Sequence, residues 1–237
     1  MIILIICIGK YRIFLREFLF SCTAMFFPST IKYYHIVTDD PDLLNNANIS
    51  KNINITLHIT NKTKWPEPTI FRFRFFEDIL KSFINIENSF FFNINCRFTR
   101  IINDLNWIEH DLVSCIHPGF FNKTRSQFTY EDRIESTAYI SPTDGEFYYA
   151  GGIQGGRTQS LLDAYSTCES MRAADEMSGI TAIWHDESYW NKYLLNKSSY
   201  RLDPGHLYPE GWNLPFQMRI SLLNKELIQP VKYLRSN

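Results

Sequence analysis

Ile2-Ile3-Leu4-Ile5-Ile6-Cys7-Ile8-Gly9 opens the chain with an unbroken apolar, largely β-branched run that ends in a glycine. A half-exposed strand would alternate apolar with polar side chains. A continuous run predicts instead a strand over residues 2–8 that is covered on both faces, as in the centre of a parallel sheet. Outward from it, residues 11–27 read as a helix. Residues 31–38 and 53–59 read as two further strands, the first ending in the turn-forming Thr38-Asp39-Asp40-Pro41. Phe71, Phe75, Ile79 and Phe83 recur at helical spacing over 70–83 and lead into a strand over 89–95. Strand and helix alternating in this way predict an α/β unit with crossover helices. Ligands in such sheets bind beyond the carboxyl ends of the strands, so residues 9–11 and 93–95 are expected to line one pocket.

After about residue 110 the texture changes to glycine, proline, tyrosine and polar residues between short apolar pieces, and 161–177 is the one sustained helical pattern. Neither a linker nor a repeat separates the halves. The 237 residues therefore predict a single domain over 1–237. Its nucleotide-side half would be about 1–110, and a second half, about 111–237, would build over the same sheet.

Lys+Arg 24 against Asp+Glu 25 leaves a net charge of -1, which excludes the excess positive field of a nucleic-acid-tracking protein. A hydrophobic content of 45% with 16% aromatic residues excludes disorder. Cys7, Cys22, Cys96, Cys115 and Cys168 contain no CxxC pair, so reduced thiols are expected and a zinc site is not. The opening apolar run is too short for a membrane helix and lacks the flanks of a signal peptide, so a soluble, cytoplasmic protein without a transmembrane segment is expected.

Three stretches carry candidate chemistry. Trp184-His185-Asp186-Glu187-Ser188 packs an indole, an imidazole and two carboxylates into five residues. Carboxylates can act as base or nucleophile or bind sugar hydroxyls, and an indole suits a pyranose face; the plain alternative is an exposed acidic turn. Gly151-Gly152 and Gly155-Gly156 follow an aromatic strand over 146–150, where backbone could approach a ligand closely, or could simply make a tight turn. Asn93 and Asn95, on a strand end, would face one side and could bond ribose or phosphate.

The order His117-Pro118-Gly119-Phe120, Phe128-Thr129-Tyr130-Glu131, Ala138-Tyr139-Ile140, Phe147-Tyr148-Tyr149-Ala150-Gly151-Gly152, Gly155-Gly156, Trp184-His185-Asp186-Glu187-Ser188 and Asn191-Lys192-Tyr193-Leu194-Leu195 resembles the family 6 retaining glycosyltransferases, which include the histo-blood-group A and B transferases. The likeness continues more thinly through residues 6–11, 33–39 and 65–72, and is closest to the bacterial, metal-independent members. It implies an α/β, GT-A type nucleotide-sugar-binding fold with a mixed central sheet. It also implies transfer of GalNAc or Gal from a UDP donor to the 3-hydroxyl of a galactoside, with retention of configuration.

Residue by residue, the resemblance places uridine on Ile6, Cys7, Ile8 and Tyr11, and the donor sugar and diphosphate on Arg72. Asp186 matches a carboxylate on donor-sugar hydroxyls, and Glu187 the catalytic carboxylate at the reacting carbon, within reach of the acceptor. His117, Thr129 and Trp184 match acceptor contacts. Asn93 and Asn95 stand where the animal enzymes hold metal with Asp-x-Asp, so no cofactor is expected and the charge on departing UDP falls to cations. These are Arg72 and, unless they belong to a solvated tail, Lys225 and Arg235. Ala150-Gly151-Gly152 matches the donor-selecting segment, and the absence of a methyl at Gly152 favours UDP-GalNAc with a fucosylated, H-antigen-like galactoside as acceptor. The alternatives are α-1,3-galactosyl transfer from UDP-Gal and, in a different class, a non-catalytic module that binds nucleotide sugar or glycan.

Overall fold

The computed structural model describes residues 1–47, 49, 53–61 and 63–235. The opening run becomes strand β1 (Ile2–Ile6), with Ile2, Ile3, Leu4 and Ile5 fully buried. Ile3 and Ile5 enter one core with Phe18 and Leu19, while Ile2 and Leu4 enter another with Phe73, Phe76 and Leu161. Each such side chain contributes roughly 1.5–3 kcal/mol relative to exposure, which is why the run tolerates no polar alternation. The strand stops short of Ile8 because the chain turns at Gly9, whose φ of +57° is left-handed and strains other residues.

β1 pairs in parallel with β2 (Tyr33–Thr38) and with β4 (Asn88–Phe92), and β2 pairs in parallel with β3 (Asn54–Ile59) at the edge. β5 (Cys96–Phe98) leaves the main sheet for a small one. β7 (Tyr149–Arg157) then lies antiparallel between β4 and β6 (Leu112–Ile116), and β8 (Tyr200–Leu202) runs parallel to β6. Among the described residues the main sheet thus has the order β3-β2-β1-β4-β7-β6-β8, mixed rather than wholly parallel. β9 (Tyr208–Pro209) and β10 (Ile220–Leu222) join β5 in the small sheet.

The helix expected over 11–27 divides into a 3₁₀ turn (Gly9–Phe14) and helix α1 (Leu15–Met25). That expected over 70–83 divides at Phe71 into one short turn (Glu67–Ile70) and α2 (Arg72–Ser82). α3 (Thr158–Met177) matches the expected helix, but α4 (Asp186–Leu194) starts on the carboxylates that could have been an exposed turn. α5 (Val231–Leu234) closes the described chain.

Two expectations about the site's backbone are corrected. β7 continues through the glycines, irregular against β6 at residues 151–153, instead of turning at them: Gly155 lies against the Phe90 ring, where a Cβ would collide, so strand pairing on both sides needs a residue without a side chain. β4 ends at Phe92, so Asn93 and Asn95 lie in the turn to β5, and strand alternation does not set their direction. Among the described residues no helix is long and apolar enough to cross a membrane, and all five cysteines are buried and unpaired.

Candidate active site

Because β1 and β4 are parallel neighbours, their carboxyl ends open side by side, and a cavity of about 810 Å³ lies there. Residues 9–11 and 93–95 both line it, as the sheet order requires. The third wall comes from β7. Its pairing with β6 runs to Ser114↔Gln154 and resumes at Cys115↔Ala150, so Gly151, Gly152 and Ile153 bulge out of that ladder. The bulge frees Gly151 backbone for side chains: its N–H donates to Glu187 Oε2 at 2.7 Å and its carbonyl accepts from Arg72 Nη1 at 2.5 Å. A Cβ on Gly151 would stand 2.9 Å from Asp186 Oδ2, so glycine is what lets the carboxylate close in.

The carboxylates reach this point through a strained corner. His185 holds φ +50°, uncommon for a residue with a side chain, and α4 begins at the next residue. Asp186 and Glu187 thus occupy the first helical turn, whose positive end favours negative charge. Asn191 fixes α4 to the strand by exchanging two bonds of 2.8 Å with the Tyr149 backbone. His185 Nδ1 contacts Thr69 Oγ1 at 3.2 Å, and its ring stands edge-on to Trp65.

Arg72, the first residue of α2, forms a buried ion pair with Asp186 at 2.5 Å, its guanidinium resting on the Phe91 ring. Burial pushes the Asp186 carboxyl up to about 7; Arg72 opposes the rise and Glu187 adds to it. Burial likewise raises Glu187, against the pull of the Gly151 N–H and the Tyr148 phenol. Two adjacent carboxyls poised above the usual range, one of them paired with arginine, form a constellation suited to work on a developing positive centre.

The lining also holds two cations from the C-terminal segment. Lys225 lies over the Tyr11 ring and Arg235 over the Trp65 ring, so the C-terminal segment covers the cavity and is not a free tail. Burial, with Arg235 and Arg72 nearby, lowers Lys225 to about 8. The hydroxyls of Tyr11 and Thr63 are buried at this cavity without a partner.

Of the residues singled out in the sequence, Ile6, Ile8, Tyr11, Arg72, Asn93, Asn95, Gly151, Gly152, Trp184, Asp186, Glu187, Lys225 and Arg235 line this cavity. Cys7 and Ala150 do not; both are buried in the core behind it. His117 and Thr129 do not line it either. They surround Tyr148, Thr129 Oγ1 at 3.4 Å from its hydroxyl and the His117 ring edge-on, and it is Tyr148 that borders Glu187. Burial lowers His117 to about 4, which keeps it neutral. Sequence reasoning missed Asp39, Trp65 and Thr69 as lining residues. Asp39, in the turn after β2, carried a signal through its place at a strand end, and Trp65 and Thr69 lay in the stretch of thinner likeness over residues 65–72.

Comparison with known proteins bears directly on this geometry. The sequence model of glycosyltransferase family 6 matches residues 1–228. This chain belongs to glycosyltransferase family 6. The O-antigen biosynthesis glycosyltransferase WbnI of Escherichia coli is 30% identical over 93% of each chain. The globoside alpha-1,3-N-acetylgalactosaminyltransferase 1 of Gallus gallus is 30% identical over 92% of this chain, and the histo-blood group ABO system transferase 1 of Rattus norvegicus is 30% identical over 88%. This family 6 chain spans only 65% and 61% of those two vertebrate proteins. Its mixed sheet is that of a GT-A-like glycosyltransferase fold.

Proposed function

We propose that this glycosyltransferase moves GalNAc from UDP-GalNAc to the 3-hydroxyl of a galactose in a fucosylated, H-antigen-like glycan, with retention and without a metal. The observation that carries the reading is the convergence of Arg72, Asp186 and Glu187 on the Gly151 backbone, in a cavity whose lining also holds Lys225 and Arg235. Arg72 and Asp186 would hold donor-sugar hydroxyls. Glu187 would stand at the anomeric carbon, as nucleophile or as stabiliser of an oxocarbenium-like centre. Ile6, Ile8 and Tyr11 would take uridine, with Cys7 supporting them from the core, and Trp184, half exposed, would take the acceptor ring.

The donor set at Asn93 and Asn95 does not fit a divalent cation. Neutral amides lack the required charge, Asn93 Oδ1 faces Arg72 Nη2 at 3.5 Å, and Asn95 gives its amide to the Leu223 carbonyl at 2.9 Å. Lys225 and Arg235 would therefore carry the charge that grows on departing UDP. The preference for GalNAc rests on Gly152, and also on the N-acetylgalactosaminyltransferase names of relatives.

The test is transfer from UDP-GalNAc and UDP-Gal to 2′-fucosyllactose, in excess EDTA and with added Mn²⁺. EDTA-resistant GalNAc transfer is the expected result. Transfer that needs Mn²⁺ would overturn the metal-free step, preference for UDP-Gal would overturn the donor, and UDP-sugar binding without any turnover would favour a binding module.

A further inference from the structure

Glu131 is only 1% exposed, and neither it nor Arg133 lines the cavity, yet together they grip the segment that delivers Trp184 and Glu187. Glu131 Oε2 accepts the Ile183 N–H at 2.8 Å. Arg133 closes a two-pronged pair on the same carboxylate, Nε to Oε1 and Nη2 to Oε2 at 2.7 Å each, and Nη2 also donates to the Thr181 carbonyl at 2.7 Å. The backbone is thus held on both sides of the buried Ala182. Just beyond lie Trp184, the left-handed His185 and the two carboxylates.

Packing alone does not fix this segment, because Ile183 and Trp184 are each about half exposed. Strained backbone persists only where its surroundings over-determine it, and here the polar clamp supplies that constraint. Glu131 also belongs to the segment that carries Thr129, two residues earlier, and its own carbonyl accepts the Ile140 N–H at 3.0 Å. One residue therefore ties the segment of Thr129 and Tyr130 to that of Trp184 and Glu187. Arg133 holds the Glu131 carboxyl below its usual range, so the clamp stays charged at neutral pH.

We propose that Glu131 and Arg133 are positioning residues that set Trp184 and Glu187 against the acceptor sugar. The proposal rests on the reading of this site as a glycosyl-transfer centre. Neither residue touches the donor cavity, so losing the clamp should impair use of the acceptor and leave UDP binding intact.

The experiment uses the full chain labelled with 5-fluorotryptophan, its Trp184 ¹⁹F line identified by Trp184→Phe, together with acceptor kinetics and UDP affinity. In Glu131→Gln the Trp184 line should move or broaden while those of the buried Trp107 and Trp190 stay. The acceptor kcat/KM should fall roughly ten- to hundred-fold, the scale of a displaced catalytic geometry, with UDP Kd unchanged. Arg133→Lys, at a half-exposed position where folding is not at risk, should act in the same direction but less, because an ammonium cannot serve both Glu131 oxygens and the Thr181 carbonyl.

A Trp184 line that stays put in both variants overturns the clamp, whether or not transfer is seen. So does a shifted line with unchanged acceptor kinetics, and so does UDP affinity that falls in step with kcat/KM, which marks general damage. Failure of the unsubstituted chain to transfer from either UDP-GalNAc or UDP-Gal overturns the functional reading, and the ¹⁹F spectra then decide the clamp by themselves.

Discussion

Arg72 Nη1 lies 2.5 Å from Asp186 Oδ2 and equally close to the Gly151 carbonyl, so one guanidinium nitrogen joins the first turn of α2, the start of α4 and the β7 bulge. Both side chains are about nine-tenths buried or more. Removing one partner of a buried pair leaves an uncompensated charge, typically at about 3–5 kcal/mol. Asp186 has an outlet, since its carboxyl already sits near 7 and can take up a proton.

Arg72→Ala should therefore fold with a protonated Asp186 and lose transfer by on the order of 10²-fold or more, as expected when an aimed cation is removed. Arg72→Lys should rescue little, because an ammonium lacks the planar fork that meets carboxylate and carbonyl together. Initial-rate transfer kinetics for the two variants check this. A lysine variant with near-parental kcat would mean that charge alone suffices.

Glu187→Gln should stabilise the fold while destroying turnover. The folded pKa of Glu187 lies above its unfolded value, so the native state holds the proton more tightly. Stability is then lost as pH rises from the unfolded pKa, about 4.3, through the folded one, as ionisation in the buried site takes effect. The glutamine variant should melt higher than the parent near neutral pH, and the gap should shrink toward pH ~4. Calorimetry at the two pH values, with UDP affinity as a control for folding, measures this; a lower Tm at neutral pH would contradict it.

How much of this was legible in sequence follows from which forces act locally. β1 could be read because covering both faces demands an unbroken apolar run, and the sheet order then placed residues 9–11 beside 93–95 at one cavity. α4 could not be read: its N-cap, His185, has no capping side-chain bond and a left-handed φ, so its start is enforced by tertiary contacts rather than by a local signal. Only the start of β7 was legible, in the strand expected over 146–150; the rest was hidden, since glycine has poor strand propensity and the reason for it, the Phe90 ring, lies on another strand. The density of carboxylates at Asp186 and Glu187 pointed to a site. Nothing local pointed to the Glu131 and Arg133 clamp, whose partners are distant in the chain.

Away from the site, His35 and His58 couple stability to pH. Their rings meet through a 2.9 Å Nδ1···Nε2 bond between β2 and β3, with Phe83 packed on His35. Burial lowers His35 to about 4, with His58 opposing its protonation, and burial lowers His58 too. The unfolded chain then binds protons that the fold excludes, so this contribution is full above about 6.5 and drains away as pH falls toward 4. For the buried His35 the loss is on the order of 3 kcal/mol. Urea denaturation across this window should show the decline in the parent and a flatter profile in His35→Phe. Identical slopes would assign the acid sensitivity elsewhere.

Gly152 carries the sharpest prediction about the donor. A Cβ there would lie 3.0 Å from Asn93 Nδ2 and 3.0 Å from Leu207 Cδ2, tight enough that one neighbour must yield. Leu207 is buried in the core, whereas Asn93 lines the cavity, so Asn93 is the side chain with room to move. An alanine would thus reshape the donor site twice, by its own methyl and by a displaced amide beside Arg72. On the proposed donor reading, an N-acetyl group would need that space and a bare hydroxyl would not. Gly152→Ala should shift the ratio of kcat/KM for UDP-GalNAc over UDP-Gal toward UDP-Gal by roughly 10- to 200-fold, the discrimination that a change of methyl size supports. Its Tm should change little, since the strain is relieved into open cavity. Competition between the two donors in one reaction measures the ratio directly. An unchanged ratio with intact activity would mean that the N-acetyl group points away from Gly152, and the choice of donor would then have to be sought among the other residues that line the cavity.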